Sequence, residues 1–388
     1  MKVTPKQIET VYDQSNVVEH YLSESRRDGV KVEWEELFSR WVFKQAIAPY
    51  SKEKGEKLRV LDVGAGTGDG YLLLSTLLSE ESELGSSYDL DYLGVDISAQ
   101  MVETANELYG NHSNVRFECA DIRTRQLHRP FYVYLSCGVP YSHLTHDELG
   151  QALKMIAENA CENRERCAVV VDVLGRYSIE WTLKWKESRW DYCMSFFESE
   201  GDAEATWMSF YSHEHLQKVM QQAADAVGCP VEKFEFFDRS IMVGRHTSTG
   251  ELNPGLPQYR DLVNSLLDPS LETELRQLLF QVELGSAPEY ILDFFRKFSS
   301  WWNSLVREAT ALLGESLVVD PVELPPEVQG FKTAVEKELQ QISEKDSRRQ
   351  KVESMLAQGL RQLEATQQPG YGVGHDLFGV MWLDATAL

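Results

Sequence analysis

Residues 60–70 read VLDVGAGTGDG, a glycine-rich segment that follows an apolar run and precedes a helical pattern. An apolar run at residues 58–63 has the length of a buried strand, and residues 71–78 follow it with a helical pattern. In a doubly wound sheet, ligands bind where such a strand passes into a helix. Because glycine lacks a Cβ, the loop between them tolerates a positive φ and admits a ligand close to its backbone.

The spacing of the glycines distinguishes between nucleotide ligands. A dinucleotide fingerprint requires the pattern G-x-G-x-x-G, but Asp69 stands at the third glycine position and Gly68 precedes it. An acid there would repel a pyrophosphate, whereas a nucleoside that bears a cationic amino acid suffers no such penalty. The Gly-Lys-Ser/Thr ending of a P-loop and the G-x-S-x-G elbow of serine hydrolases are both absent from the sequence.

Strands and helices alternate along the first 245 residues. Two helices, at residues 4–22 and 34–49, precede the first strand. This alternation is typical of an α/β protein with a doubly wound, mostly parallel sheet covered by helices on both faces. The patterns predict further strands at residues 92–96, 115–119, 131–136, 167–173, 234–237 and 240–244, and further helices at residues 98–110, 145–159 and 212–228.

The alternation stops near residue 246. Glycine and proline residues mark a boundary at residues 250–257, and a wide apolar stripe follows at residues 291–306. We therefore expect two parts, a first domain at residues 1–246 and a mainly helical C-terminal extension at residues 247–388.

The apolar pattern at residues 331–366 leaves two arrangements open. This region either packs back on its own chain or pairs with a second copy in a homodimer. The polar stretch at residues 343–351 interrupts the pattern, which argues against a long coiled coil.

The charge balance narrows the range of partners. The 388 residues include 38 Lys and Arg against 61 Asp and Glu, a formal net charge of −23. Such a surface repels phosphate backbones and anionic lipids, so we expect neither nucleic acid nor a membrane as a partner. No apolar run reaches the roughly 18 residues of a membrane span, and the first residues show no secretory h-region.

The cysteine and histidine residues indicate neither disulfides nor a metal site. The six cysteines are scattered and form no CxxC pair, so reduced thiols in the cytoplasm are expected. His213 and His215 are two positions apart, and such side chains point apart on a helix. No set of Cys and His ligands for zinc is evident in the sequence.

The ordered set of motifs resembles the class I S-adenosylmethionine (SAM) dependent methyltransferases. The pattern D-x-G-x-G-x-G at residues 62–68 is similar to their motif I. Residues 95–98 (VDIS) resemble the second-strand segment whose acid holds the ribose hydroxyls, and residues 120–122 (ADI) resemble the acidic segment beside the adenine. Residues 135–144 (LSCGVPYSHL) resemble the fourth-strand segment near the methyl group. The likeness covers about residues 1–246 and implies a Rossmann-like, seven-stranded sheet with SAM as its cofactor.

The resemblance assigns roles to three aspartates. Asp96 would accept hydrogen bonds from both ribose hydroxyls, Asp121 would accept one from the adenine amine, and Asp62 would orient the glycine loop or lie near the cofactor's ammonium. Taken singly, each acid is equally typical of a helix cap or a solvated loop, and only the ordered set fits a cofactor site. The candidate cofactor residues are Asp62, Gly64, Ala65, Gly66, Gly68, Asp96, Ile97, Met101, Asp121, Ile122 and Ser136.

Two features depart from the family pattern. Gly68 and Asp96 are 28 positions apart, and residues 79–91 have the composition of an acidic inserted loop that accounts for the extra length. The fourth strand carries Tyr134 and Ser136 where many relatives have acids, so no fourth-strand carboxylate role is expected.

Methyl transfer is an in-line displacement at a carbon bound to sulfur, so the protein contributes mainly orientation and exclusion of water. A base is needed only when the accepting atom arrives protonated. His143 follows the fourth strand and is the candidate base, and Tyr141 is expected to orient the substrate through its hydroxyl. The alternative for His143 is a hydrogen-bonded structural histidine.

Residues 177–211 are unusually rich in aromatic side chains and follow the fifth strand. They form either a lid over the substrate, with stacking and cation–π surfaces, or an element packed on the sheet by its aromatic side. Polar residues at the exit of the fifth strand either bind a polar substrate group or form surface ion pairs. The candidate substrate-binding residues are Arg176, Tyr177, Glu180 and Trp181.

Together these features predict a cytoplasmic SAM-dependent methyltransferase. The expected acceptor is the O, N or C atom of a small molecule. Among small molecules, a specialised metabolite is the substrate class that we favour. One alternative is a protein or peptide methyltransferase that uses the C-terminal extension as a docking surface. Another is a non-catalytic protein of the same fold that binds SAM or only a partner.

Overall fold

A computed structural model describes residues 12, 15–23, 26–50, 57–78, 89–193, 205–244, 252–281, 283–315 and 322–388. The predicted helix start at residues 4–7 and most of the predicted inserted loop at residues 79–91 lie outside the described residues. So do residues 194–204 of the aromatic segment.

The described residues form one mixed sheet of nine strands. Strands β1 to β5 are all parallel and lie in the order β3-β2-β1-β4-β5, so the strand order reverses between β1 and β4. The strands are β1 (Lys57–Val63), β2 (Asp89–Asp96), β3 (Val115–Cys119), β4 (Val133–Leu135), β5 (Arg166–Gly175), β6 (Arg189–Cys193), β7 (Ala205–Tyr211), β8 (Val231–Arg239) and β9 (Asp376–Asp384).

Helices cover both faces of this sheet, and their capping follows from the sequence. Ser98 and Ser212 cap their helices through side-chain oxygens, and Thr145 and Glu148 form a capping box. The helices are α1 (Ser15–Leu22), α2 (Glu36–Ile47, preceded by a π-helical turn at Lys31–Glu35), α3 (Asp69–Leu77), α4 (Ala99–Tyr109), α5 (His146–Asn163), α6 (His213–Asp225), α7 (Tyr259–Leu267), α8 (Glu289–Leu312), α9 (Phe331–Leu339) and α10 (Lys345–Thr366).

The central strands are buried because helices shield them on both sides. In β5 only the first residue, Arg166, is exposed, and the rest of the strand is buried. Continuous apolar runs of this kind are the mark of a parallel sheet with two covered faces. The predicted doubly wound, mostly parallel α/β fold is therefore confirmed.

The last strand of the main sheet comes from the C-terminal end of the chain. β9 lies antiparallel between β5 and β8 and completes the seven-stranded order β3-β2-β1-β4-β5-β9-β8. The prediction of a closing strand at residues 240–244 is wrong, since Ser240 has a φ of 58° and turns the chain out of the sheet after β8. β9 lies C-terminal to the predicted boundary at residue 246. The C-terminal extension therefore contributes a strand to the sheet of the first domain.

The β6–β7 hairpin extends the sheet beside the end of β5. Leu174 and Gly175 of β5 pair with Phe210 and Tyr211 of β7. The predicted aromatic segment is thus partly a hairpin. Its ring stack of Trp190 on Phe210, with centroids 4.3 Å apart and planes within 5°, faces the core.

The C-terminal helices share one apolar core with the N-terminal residues and the hairpin. Trp302 of α8 and Leu360 of α10 belong to the same buried cluster as Val17, Trp34 and Trp181. The apolar positions of α10 therefore pack within the chain. Among the residues that the structure covers, no helix is long and apolar enough to cross a membrane.

Candidate functional site

A cleft opens at the carboxyl ends of β1, β2 and β4, where the strand order reverses. Ligands of doubly wound sheets bind at such a point. The cleft holds about 1160 Å³ of free space, counted out to its open mouth. It brings together these predicted residues: Gly64, Ala65, Gly66, Asp96, Ile97, Met101, Asp121, Ile122, Tyr141 and His143.

The glycine loop forms the floor of the cleft, and its glycines serve different purposes. Gly64 has a φ of 69°, and a Cβ there would lie 2.3 Å from the Cβ of Pro140. Gly66 has a φ of 53° and no atom within 4 Å of the position of a Cβ. The backbone of Gly66 is therefore open to a ligand, whereas Gly64 lets the loop pack against the turn that follows β4.

Asp96 lies at the end of β2 and lines the cleft. Its Oδ2 accepts a hydrogen bond from the backbone N–H of Gly66 (2.8 Å) and its Oδ1 from that of Ser98 (2.9 Å). These bonds fix the carboxylate between the glycine loop and α4. A carboxylate oxygen accepts more than one hydrogen bond, so the arrangement fits a ligand with two neighbouring hydroxyls.

Asp121 lines the same cleft and is held by a residue that the sequence analysis missed. The Arg123 guanidinium donates to both carboxylate oxygens of Asp121 and to Glu148. Burial raises the pKa of Asp121, but the hydrogen bonds from Arg123 outweigh it, so the pKa lies below its ordinary value. The group is an ionised acceptor at neutral pH.

Three predicted cofactor residues do not line the cleft. Asp62 is buried beneath the glycine loop, where the Tyr92 hydroxyl donates to it, and burial raises the pKa of Asp62 to about 7. Its Oδ2 lies against Gly70, where a Cβ would come within 2.1 Å of it. Gly68 caps α3 with a φ of 102°, and the Ser136 hydroxyl bridges β4 and β5.

The turn Pro140–His143 follows β4 and carries both candidate catalytic residues. It is reached through Gly138 (φ 88°) and Val139 (φ 59°), and the latter is costly for a β-branched residue. Asp172 of β5 accepts from both backbone N–H groups, at 2.8 and 3.3 Å, and so stabilises this conformation.

His143 is a neutral imidazole inside the cleft. Burial lowers its pKa to about 4. Its Nε2 lies 2.8 Å from the hydroxyl oxygen of Tyr12, and its buried Nδ1 has no hydrogen-bond partner among the described residues. Tyr141 lies in the same wall, and burial raises the pKa of its phenol, so the hydroxyl keeps its proton.

One wall of the cleft comes from residues before the first strand. It is lined by Tyr12, Tyr21, Arg26 and Lys31. The Arg26 guanidinium lies over the Tyr21 ring and forms an ion pair with Asp69 (2.8 Å). Arg239, at the end of β8, also lines the cleft. No local motif marks Arg26 or Arg239, because their partners Asp69 and Asp376 are distant in sequence, whereas Lys31 pairs with Glu35 on the next turn (3.6 Å).

Contrary to the prediction, the four candidate substrate-binding residues do not line the cleft. Arg176 donates to the backbone carbonyls of Trp185 (2.9 Å) and Lys186 (2.8 Å). The other three are buried: Tyr177 and Trp181 lie in the apolar core, and Glu180 contacts the imidazole of His375. They pack against the sheet because the C-terminal extension covers them.

The described residues include no cluster of three or more His, Cys, Asp or Glu side chains that could hold a metal ion. The lining thus combines a glycine floor, apolar side chains and a neutral imidazole with three aspartates (Asp69, Asp96 and Asp121) and four cations (Arg26, Lys31, Arg123 and Arg239). Asp96, held between the glycine loop and α4, suits the two neighbouring hydroxyls of a sugar ring.

Residues 60–160 match the family model of the methyltransferase domain. No curated protein matches the sequence. Among solved structures, the chain is similar to an S-adenosylmethionine-dependent methyltransferase from Clostridium acetobutylicum ATCC 824, with 13% identity over 56% of this chain and 89% of that one, at a TM-score of 0.38. It is also similar to magnesium protoporphyrin IX methyltransferase from Synechocystis PCC 6803 (14% identity, 60% and 93% covered, TM-score 0.40) and to DesVI of Streptomyces venezuelae (16%, 61% and 94%, 0.34).

Proposed function

We propose that this chain, whose residues 60–160 match the family model of the methyltransferase domain, is a SAM-dependent enzyme that transfers a methyl group to an O, N or C atom of a small molecule. The observation that carries the proposal is the neutral imidazole of His143, which faces the same cleft as the glycine floor and Asp96. The site therefore combines a cradle for a nucleoside with a proton acceptor.

The residues of the cleft fit the adenosyl group of SAM. Asp96 would hold the ribose hydroxyls, since both of its oxygens are already oriented by backbone N–H groups. Asp121 would accept from the adenine amine, with apolar side chains on the ring faces. Gly66 leaves room where a larger residue would fill the cradle. The apolar contacts are Ile97, Met101 and Ile122.

SAM supplies, when bound, a methyl group on a positively charged sulfur. The chain's own contribution is to orient the acceptor and to exclude water. Tyr12 and Tyr21 close one side of the cleft, and Tyr141 closes the other with a protonated hydroxyl that can position the acceptor.

His143 would take the proton of an acceptor that arrives protonated. An imidazole with a pKa of about 4 is a weak base, but it is neutral at pH 7 and ready to accept. The acceptor's proton becomes more acidic as the new bond to carbon forms, so a weak base suffices. The hydrogen bond between Tyr12 and His143 Nε2 would fix the ring and offer a route for the proton.

A small acceptor is favoured by the closed N-terminal side of the cleft, and a specialised metabolite is our preferred class. The formal charge of −23 supports a partner other than nucleic acid or an anionic membrane, and reduced cysteines suit the cytoplasm. We also propose a homodimer, and a division of the chain near residue 246 in which the C-terminal extension completes the sheet of the first part with β9. Methylation of a protein or peptide is the second candidate.

Incubation with SAM and a panel of phenols, amines, carboxylic acids and short peptides tests the activity. The expected result is release of S-adenosylhomocysteine (SAH) that depends on one class of small acceptor. Release that depends only on the peptides would support the second candidate. Binding of SAM or SAH by the protein, without release of SAH in the presence of any acceptor, would support the non-catalytic alternative.

A further inference from the structure

The wall of the cleft that comes from the N-terminal residues lies outside the sheet, on helical segments of the described chain. We call the lining residues Tyr12, Tyr21, Arg26 and Lys31 the N-terminal wall. Lys31 begins the π-helical turn Lys31–Glu35, a geometry rarer than an α-helix and often found at functional sites. Something else in the chain must therefore hold this turn in place.

Arg260 of α7 provides the main anchor. Its Nε and Nη2 donate to the two carboxylate oxygens of Asp28, each at 2.8 Å, and its Nη1 donates to Glu35 at 2.6 Å. The same Nη1 reaches the backbone carbonyl of Gly244 at 3.1 Å. Arg260 and Glu35 are buried, so these charge-assisted bonds are shielded from water. The guanidinium thus joins both ends of the segment 28–35.

The next turn of α7 adds a second contact with the same segment. The side chain of Asn264 accepts from the backbone N–H of Val30 (2.8 Å) and donates to Asp28 (2.8 Å). A Cβ at Gly29 would lie 2.9 Å from Leu267, so the backbone runs directly against α7. One face of α7 therefore specifies the path of the chain just before Lys31.

α10 holds the other end of the turn. The indole N–H of Trp34 donates to Glu364 at 3.1 Å, and Arg361 donates to the carbonyl of Glu33 at 2.9 Å. Glu364 also accepts from the backbone N–H groups of Ile241 (2.9 Å) and Met242 (3.1 Å), just after Arg239. Two helices of the C-terminal extension thus support the N-terminal wall from behind.

We propose that Arg260 is a positioning residue, which with Asn264 holds residues 28–35 so that Lys31 and the rest of the N-terminal wall close the cleft. The C-terminal extension then has a defined task, to complete a ligand site whose floor belongs to the sheet. Without Arg260, Asp28 and Glu35 lose their shared cation, and the segment loses its anchor while the sheet keeps its own core.

The variants Arg260→Lys and Asn264→Ala test this role, with Asp261→Ala as the control because Asp261 is exposed on the same helix. Calorimetric titration with SAH is carried out well below the unfolding temperature of each variant, alongside hydrogen exchange of the unliganded chain. For both variants we expect faster hydrogen exchange at residues 26–35 and about tenfold weaker SAH affinity. A tenfold loss corresponds to a closed, binding-competent wall that is populated about a tenth of the time. The control should match the wild type in both measurements.

Combining Arg260→Lys with Tyr21→Ala separates positioning from general stabilisation. Tyr21 belongs to the N-terminal wall, whereas Lys31 pairs with Glu35 (3.6 Å) and so shares a partner with Arg260. If Arg260 acts through the wall, a variant that has already lost a wall contact has less to lose from Arg260→Lys. The SAH affinity of the double variant will then be well above the value obtained by multiplying the two single effects. Faster exchange with unchanged SAH affinity would reduce Arg260 to a stabilising role and overturn the proposal, as would unchanged exchange at residues 26–35. The inference rests on the proposed function only through the choice of SAH as the ligand. If the wild type fails to bind SAH, the proposed function fails. The hydrogen-exchange data at residues 26–35 then still decide whether Arg260 anchors this segment.

Discussion

The Nε2 atom of His143 lies 2.8 Å from the hydroxyl oxygen of Tyr12, although 131 positions separate the two residues. The contact spans the cleft, because Tyr12 belongs to the N-terminal wall and His143 follows β4. It joins the element that closes the cleft to the residue best placed to accept a proton.

Replacing His143 separates proton transfer from cofactor binding. We expect His143→Ala to lower kcat by at least about a hundredfold for an acceptor that arrives protonated, the usual contribution of a positioned base. SAH affinity should change little, since Asp96 and the glycine loop remain. The exposed His128→Ala is the control. A variant with wild-type kcat would show that His143 is a structural residue.

Two glycines of the loop should respond differently to the same change. Gly64→Ala places a Cβ 2.3 Å from Pro140 in the unliganded protein, so the unfolding temperature should fall markedly. Gly66→Ala meets no atom within 4 Å, so only the strain of its positive φ, about 1 to 2 kcal/mol, lowers stability. Because Gly66 faces the cleft, its variant should lose SAH affinity instead. Equal effects of both variants on stability and on binding would contradict this distinction.

A chain that ends at residue 246 should not fold into a stable sheet. It lacks β9, and the sheet then loses the strand that joins β5 to β8. Circular dichroism and size-exclusion chromatography of this fragment check the expectation, with the full chain as the reference. A cooperatively unfolding, SAH-binding fragment would restore residues 1–246 as an independent domain.

Glu364 should make stability depend on pH. Burial raises its pKa to about 7, so the folded state holds a proton that the unfolded state has released by about pH 5. Stability from this group is present in full below the unfolded pKa and is lost as the pH rises through about 7. We expect Glu364→Gln to flatten the fall in unfolding temperature between pH 4 and 8 relative to the wild type. The exposed Glu338→Gln should keep the wild-type slope, and a parallel profile for Glu364→Gln would refute the assignment.

The local parts of the fold are predictable from the sequence because each is determined by residues that are consecutive in the chain. The apolar runs that became β1 to β5 and the Thr145–Glu148 capping box depend only on neighbours in the chain. The glycine loop and Asp96 also converge for a local reason, since parallel strands end at the same edge of a sheet.

Features that depend on contacts between distant segments were missed or wrong. The pairing of β9 was missed, because nothing near residue 376 indicates that its partner is β5. Trp181 and Glu180 were expected to face a substrate, yet α8 covers that region, where Trp185 stacks on Phe295 with centroids 5.8 Å apart. The N-terminal wall was missed in part because its anchors lie more than 200 positions away.

The central claim is that Asp96 and the glycine loop hold the nucleoside of the methyl donor. Calorimetric titration of SAH into the wild type, Asp96→Ala and the exposed control Asp225→Ala tests it most directly. We predict one SAH per chain for the wild type and the control, and binding weaker by at least about 1.5 kcal/mol for Asp96→Ala, the scale of a lost hydrogen bond to a charged group. No SAH binding by the folded wild type, or equal affinity of Asp96→Ala, would contradict the account.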